Sequence, residues 1–232
     1  MGGHPFIVKR RRRLATPLLL LANVFFRLAK NPASVWTHTA DWQFWESDCF
    51  HRLHGERFRV EIEGRRIVRA EILPGRSLVA HLDAGTFNAA MVAASARELR
   101  RAHELSSPEF RGHGWSHGDP NLANFLFDSI EQRARLIDFE IIHDRALSAP
   151  ERHAADLVVF LQDLLGCVSE KDWLSMATLF LDEYGGEEVL PFVKQQFALP
   201  RGVVPRLWWW IRTNYVSARV LRARVNALLA TL

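Results

Sequence analysis

The sequence predicts an α+β protein of two unequal lobes, a short sheet-bearing front and a helical back. Three observations carry that reading. Residues 58–73 read as strands around Gly64, apolar-striped helical segments dominate from residue 86 onward, and Pro74-Gly75 separates the two regimes. That break places a front lobe at 1–73 and a back lobe at 74–232. A chain of 232 residues, 48% hydrophobic and 24% charged, has room for a real core and is neither collagenous nor wholly disordered.

The front begins with Pro5–Lys9, which reads as a short strand ending in lysine. A basic run, Lys9 to Arg13, then leads into an apolar stretch, Leu14 to Phe26, closed by Arg27. Thirteen residues are too few to cross a bilayer as a helix. Three readings stay open: a helix buried in the protein, which leads; an interfacial helix on an anionic membrane surface; and a cleaved signal segment, whose small-residue cleavage site is poorly defined. From Asp41, Trp42, Trp45, Cys49 and Leu53 recur at helical spacing until Gly55. Glu46 falls on or beside that stripe, where a carboxylate either reaches solvent or needs a partner. Phe58–Glu63 and Arg66–Leu73 follow as a hairpin or two sheet strands.

In the back, Thr86–Leu105 reads as a helix with Phe87, Met91, Ala94, Leu99 and Ala102 inward, and Ser106–Gly114 as a loop. Glu151–Leu165 is a helix ended by Gly166, with Leu157, Phe160, Leu161 and Leu164 inward. Helices over 170–184 and 187–197 follow. One long helix over 204–229 closes the chain and carries Trp208, Trp209 and Trp210 among arginines. Those tryptophans are expected to pack into the back lobe, with a membrane face as the alternative.

Charge and cysteine usage narrow the partners. A net charge of +4 permits nucleic acid or an anionic membrane without demanding either. No nucleic-acid fold signature is present, so no nucleic acid is expected. Cys49 and Cys167 stand 118 positions apart, which excludes a disulfide scaffold and a cysteine metal cluster and fits a reducing, cytoplasmic compartment.

The chemistry concentrates in the centre. His117-Gly118-Asp119-Pro120-Asn121-Leu122-Ala123-Asn124 precedes apolar Phe125-Leu126-Phe127, and Asp138 follows within Leu136-Ile137-Asp138-Phe139-Glu140. Two short apolar segments, each ending in an acid or amide, suit a hairpin that brings Asp119, Asn124 and Asp138 to one point. Hard oxygen ligands beside a carboxylate base are what Mg²⁺ and phosphoryl transfer require.

These residues resemble the protein-kinase-like superfamily, in its aminoglycoside/choline kinase and Kdo/lipopolysaccharide kinase branches. HGDPNLANFLF is similar to their H-G-D-x-x-x-x-N catalytic loop, and LIDFE to their metal-binding I-D-[FW]-E. Ala70–Leu78, with Glu71 and Leu73, resembles the hinge of those enzymes, and Asp156 the helix acid that steadies the catalytic loop. The likeness spans roughly residues 41–165. It implies a two-lobed kinase-like fold with an abbreviated β-containing front lobe, and ATP- and Mg²⁺-dependent phosphate transfer to a hydroxyl of a small molecule, sugar or lipid-linked glycan. Asp119 would then be the catalytic base and His117 a brace of the same catalytic loop. Asn124 and Asp138 would bind metal, and backbone near Glu71 and Leu73 would receive adenine. Glu140 would support the loop, touch the acceptor or be a surface acid.

The resemblance also calls for a strand lysine paired with a helix glutamate. Glu46 is the natural acid. Lys9 and Lys30 are the only lysines in the first 170 residues, and Lys9 is favoured as its partner. Only Gly2-Gly3 then remain where a glycine-rich hairpin would cover phosphates. A kinase-fold binding module without transfer is the second reading. A Ser/Thr protein kinase is the third, disfavoured by Glu140 where D-F-G has glycine. A lipid-linked acceptor would place the protein at the inner face of a membrane.

Overall fold

The computed structural model describes residues 5–12 and 15–232, and every structural statement here concerns those residues. Gly2-Gly3, Arg13 and Leu14 lie outside them. The chain runs β1 (Phe6–Arg10), α1 (Ala15–Leu28), β2 (Ala33–Val35), α2 (Thr39–His54), β3 (Val60–Glu63), β4 (Ile67–Glu71), β5 (Arg76–Ser77) and α3 (Leu78–Asp83). It continues through α4 (Ala89–His103), β6 (Phe125–Asp128), β7 (Arg133–Leu136) and β8 (Ile141–His143). Helices α5 (Ala149–Cys167), α6 (Trp173–Tyr184), α7 (Leu190–Phe197), α8 (Val203–Arg212) and α9 (Ala218–Leu229) complete it. The architecture is α+β with small antiparallel sheets.

Three sheets position the site. The front sheet has the order β1-β4-β3, so the lysine strand lies beside the strand that leads out toward Leu73, with Lys9 opposite Val68. In the second sheet, β5-β6-β7, the hairpin β6/β7 pairs Phe125 with Leu136. That hairpin sets the ends of the two central motifs side by side, as the sequence pattern predicts. The third pairs β2 with β8, tying the segment after α1 to the chain just beyond Asp138.

The helices form where the sequence supports them. Helix α2 buries Trp42, Trp45, Cys49 and Leu53 as their spacing requires, and Gly55 takes its C-cap. Asn88 caps α4 by accepting from the Met91 N–H. Ser148 and Glu151 close a capping box on α5, with proline in its first turn. The indole N–H of Trp115 reaches the buried Cys49 Sγ at 3.3 Å, joining α2 to the central loop.

Three expectations are corrected. Gly166 does not end α5, which continues to Cys167. A side chain there would meet the Thr213 backbone at about 2.5 Å, so glycine serves a close helix approach, not a stop. The final helix is two helices, because the chain breaks after Thr213 through left-handed Asn214 (φ 51°) and Tyr215 (φ 61°). Ser217 then caps α9. The apolar N-terminal stretch does form a helix, but not a buried one: on α1 only Phe26 is fully buried. No described helix is long and apolar enough to cross a membrane.

Candidate functional site

Lys9 is the hub. Its Nζ lies 2.6 Å from Glu46 Oε1 on α2 and 2.6 Å from Asp138 Oδ1, joining residues 37 and 129 positions apart. The Glu46 carboxylate is not a stripe-edge acid reaching solvent. It is 4% exposed, and its second oxygen accepts from the Phe139 N–H at 3.0 Å. Burial works against the Lys9 ammonium, but Glu46 and Asp138 outweigh it and hold its pKa above the usual lysine value. Burial also pushes the Glu46 carboxyl upward, with Lys9 pulling the other way. One ammonium shared by two carboxylates stays charged. Lys30 takes no part; it is exposed just past α1, in a left-handed conformation (φ 57°).

Asp138 itself has φ 70°, a conformation costly for a residue with a Cβ and common where chemistry is held. Glu140 is half-buried. Burial raises its pKa and Asp138 adds to the rise, while Lys9 and Arg11 oppose it. Arg11 is buried with its guanidinium 4.7 Å from the Trp42 ring centre, so the acids around Lys9 face two cations.

The loop carrying Asp119 is held from below by α5. Asp156, fully buried, accepts from the N–H groups of His117 (2.7 Å) and Gly118 (2.8 Å) and lies 2.9 Å from His103 Nε2. It is not a solvated helix acid. Two turns further on, Asp163 accepts from the Leu122 N–H at 2.8 Å. Gly118 has φ 89°, and a side chain there would fall 2.7 Å from Ile141 Cγ2, so both backbone and space demand glycine.

His117 has no access to an acceptor. It is fully buried, its Nδ1 accepts from the Asp119 N–H (3.2 Å), and its Nε2 therefore donates to the Ile137 carbonyl (3.0 Å). Burial holds its pKa below the usual histidine value, against the pull of Asp156 and Asp119. It is a positioning residue that ties the loop to the segment between β7 and β8 that carries Asp138.

Asp119 is part-exposed and engaged on both oxygens, Oδ1 with Arg212 Nη1 at 2.8 Å and Oδ2 with Asn121 Nδ2 at 3.1 Å. Asn124 donates through Nδ2 to the Asp119 carbonyl at 2.8 Å, which leaves its Oδ1 without a donor. The second Asp138 oxygen is likewise free of any described donor. Two unengaged hard oxygens fit a magnesium ion, which takes few protein ligands and fills its shell with phosphate oxygens and water. No cluster of three or more His, Cys, Asp or Glu suited to a metal occurs among the described residues, so a larger protein cage is not the fit.

No protein-family model and no curated protein sequence matches this chain. The case therefore rests on the geometry.

At the expected adenine edge the structure divides the two residues named. The N–H of Glu71 donates to the Arg59 carbonyl (2.9 Å) and that of Ile72 to the Pro5 carbonyl (3.0 Å). The Glu71 side chain is also turned into the fold, accepting from the Arg59 N–H at 2.9 Å. Glu71 therefore has no N–H to offer a ligand. Among the described residues the Leu73 N–H has no backbone partner, so the open donor sits there.

Two residues escaped the sequence reading. Asp163 lies seven positions after Asp156 on the same apolar helix, a spacing that could have flagged it. Arg212 carried no such signal. It reaches Asp119 from α8, its guanidinium carbon 5.7 Å from the Trp208 ring centre, with Nε and Nη2 buried and unpartnered. Nearby, a cavity of about 500 Å³ opens beside Gly118, bordered by Lys30, Gln162, Trp208 and Trp209.

Proposed function

We propose that this chain is an ATP- and Mg²⁺-dependent phosphotransferase of protein-kinase-like, two-lobed arrangement, acting on a hydroxyl of a small molecule, sugar or lipid-linked glycan. The observation that carries it is the Lys9 ammonium held between Glu46 and Asp138 at 2.6 Å from each, with Asp119 and Asn124 on the adjoining loop. An ammonium clamped this way is oriented toward phosphate oxygens without being neutralised by proton loss. Support for the lobes comes from the sheet order, which puts the lysine strand next to the strand entering the Leu73 segment.

In this reading Asn124 and Asp138 would hold Mg²⁺, which when bound would supply positive charge against the phosphates. Asp119 orients the acceptor hydroxyl and takes its proton as the hydroxyl oxygen bonds the γ-phosphorus and ADP departs. The Leu73 N–H receives adenine. The cavity beside Gly118, with two tryptophans and a glutamine on its wall, is where a polar, ring-bearing acceptor would lie.

One observation favours a second reading, a nucleotide-binding module without transfer: both Asp119 oxygens already have partners. Mg²⁺-dependent ATP turnover without acceptor, measured for the wild type beside Asp138→Ala, separates the two. Slow hydrolysis that vanishes in the variant supports the enzyme. ATP binding with no turnover moves the weight to the module, and no ATP binding removes both.

A further inference from the structure

Helix α1 presents its apolar residues to solvent. Leu18, Leu20, Leu21, Val24 and Leu28 are each more than half exposed, between 52% and 69%. The helix contains no acid. Residues 20, 21, 24 and 28 fall on one side at helical spacing, so the exposure is a continuous face rather than scattered side chains.

The rotation of α1 is fixed from its other side. The Asn23 amide bonds both groups of Val35 on β2, donating to its carbonyl (2.9 Å) and accepting from its N–H (2.7 Å). Phe25 and Phe26 set their rings edge-on to Trp208, with centres 5.8 and 5.3 Å away. Rolling the leucines inward would break the paired amide bonds and both aromatic contacts. The outward face is therefore built in, and it needs a cover.

Charge selects the cover. Seven of the 30 basic residues, and none of the 26 acidic ones, fall in the first 40 positions. Of these, Arg10, Arg12, Arg27 and Lys30 are exposed around the two ends of α1. Two copies of the chain meeting through this face would bring like charges together. A purely apolar protein groove would leave the cations unanswered. We propose that α1 lies in the interface of an anionic bilayer, its leucines and Val24 among the upper acyl chains and the flanking arginines and lysine at headgroup phosphates. The proposal stands apart from the phosphotransferase reading and can fail without it.

The test is co-sedimentation of the full chain with phosphatidylcholine vesicles containing or lacking about 30% phosphatidylglycerol. The partner variant is Leu21→Glu/Val24→Glu, with its melting curve checked against the wild type. Both positions are exposed, so the fold should persist, and Leu21→Ser/Val24→Ser gives a charge-neutral repeat of the test. Expected are wild-type binding to the anionic vesicles, weakened by added salt, and a loss of about tenfold or more in partitioning for each double variant. A wild type left in the supernatant overturns the proposal. So does equal binding by the variants, which would reduce the contact to charge alone. A wild-type dimer that the glutamates split, with no vesicle binding by either form, would assign the face to a second copy instead.

Discussion

Two neighbouring regions treat their polar groups in opposite ways. Around Asp156 every bond is internal, with three donors converging on one carboxylate beneath the loop. Around Asp138 the bonding is incomplete. One Asp138 oxygen, Asn124 Oδ1 and two Arg212 nitrogens have no protein partner. A carboxylate whose bonds are all internal has nothing left to offer a ligand, whereas the part-exposed Asp138 keeps one oxygen free for one. The first region is scaffold and the second is the candidate site, a contrast that experiments can break.

The largest effect belongs to the site. Asp119→Asn should lower phosphate transfer by about 10²- to 10⁴-fold while leaving ATP affinity within about twofold, because the amide cannot take the hydroxyl proton. Steady-state kinetics with nucleotide titration check this, and unchanged transfer would remove Asp119 as base.

The scaffold comes next. Asp156→Ala strands the His117 and Gly118 N–H groups and should cost about 3 kcal/mol or more, a fall in Tm of roughly 6–12 °C. A melting curve within a degree or two of the wild type would mean the loop does not depend on α5.

Protonation probes the same scaffold. Burial lowers the pKa of His54 and of His143 to about 4. Folded, each is neutral at pH 5; unfolded, each is protonated there. Stability is therefore full above the unfolded value near 6.5 and is lost as pH falls toward 4, by about 2 kcal/mol per histidine at pH 5. Denaturant midpoints taken from pH 7.5 to 4.5 should fall steadily, and a flat profile would contradict neutral burial.

The smallest effect concerns Arg212, which stands where the regions meet. Its Nη1 holds Asp119 while Nε and Nη2 lie buried and unpartnered, which sets its charge beside the proposed base. Arg212→Met should lower turnover by about 10- to 100-fold with little change in Tm. A rise in turnover would show instead that Arg212 caps the base.

How far the sequence could be read follows the range of each interaction. The α2 stripe, the hairpin over residues 60–71 and the β6/β7 turn are local, and periodicity and turn residues carried them. Glu46 as an acid needing a cation was legible because an apolar stripe makes any carboxylate conspicuous. Its pairing with a lysine came from the family resemblance, and the scarcity of lysines left only Lys9, the favoured one, and Lys30 to supply it. The remainder is non-local. Gly166 looks like a stop in sequence, yet its smallness answers Thr213, 47 positions on, and nothing near it says so. Arg212 was one arginine among 26 until α8 brought it to Asp119. Helix α1 read most naturally as buried because its composition is apolar; only Asn23 and Phe25–Phe26, committed to β2 and α8, reveal which face is spoken for.

The central claim is that Lys9, Glu46 and Asp138, with Asn124, form a Mg²⁺-dependent site for ATP phosphates. Calorimetric titration of ATP into the wild type and Asp138→Asn, each with Mg²⁺ and with a chelator, tests it most directly. Wild-type binding that falls about tenfold or more on removing Mg²⁺, and a variant that no longer responds to the metal, is the predicted result. Equal affinity in all four titrations, or none in any, would contradict it.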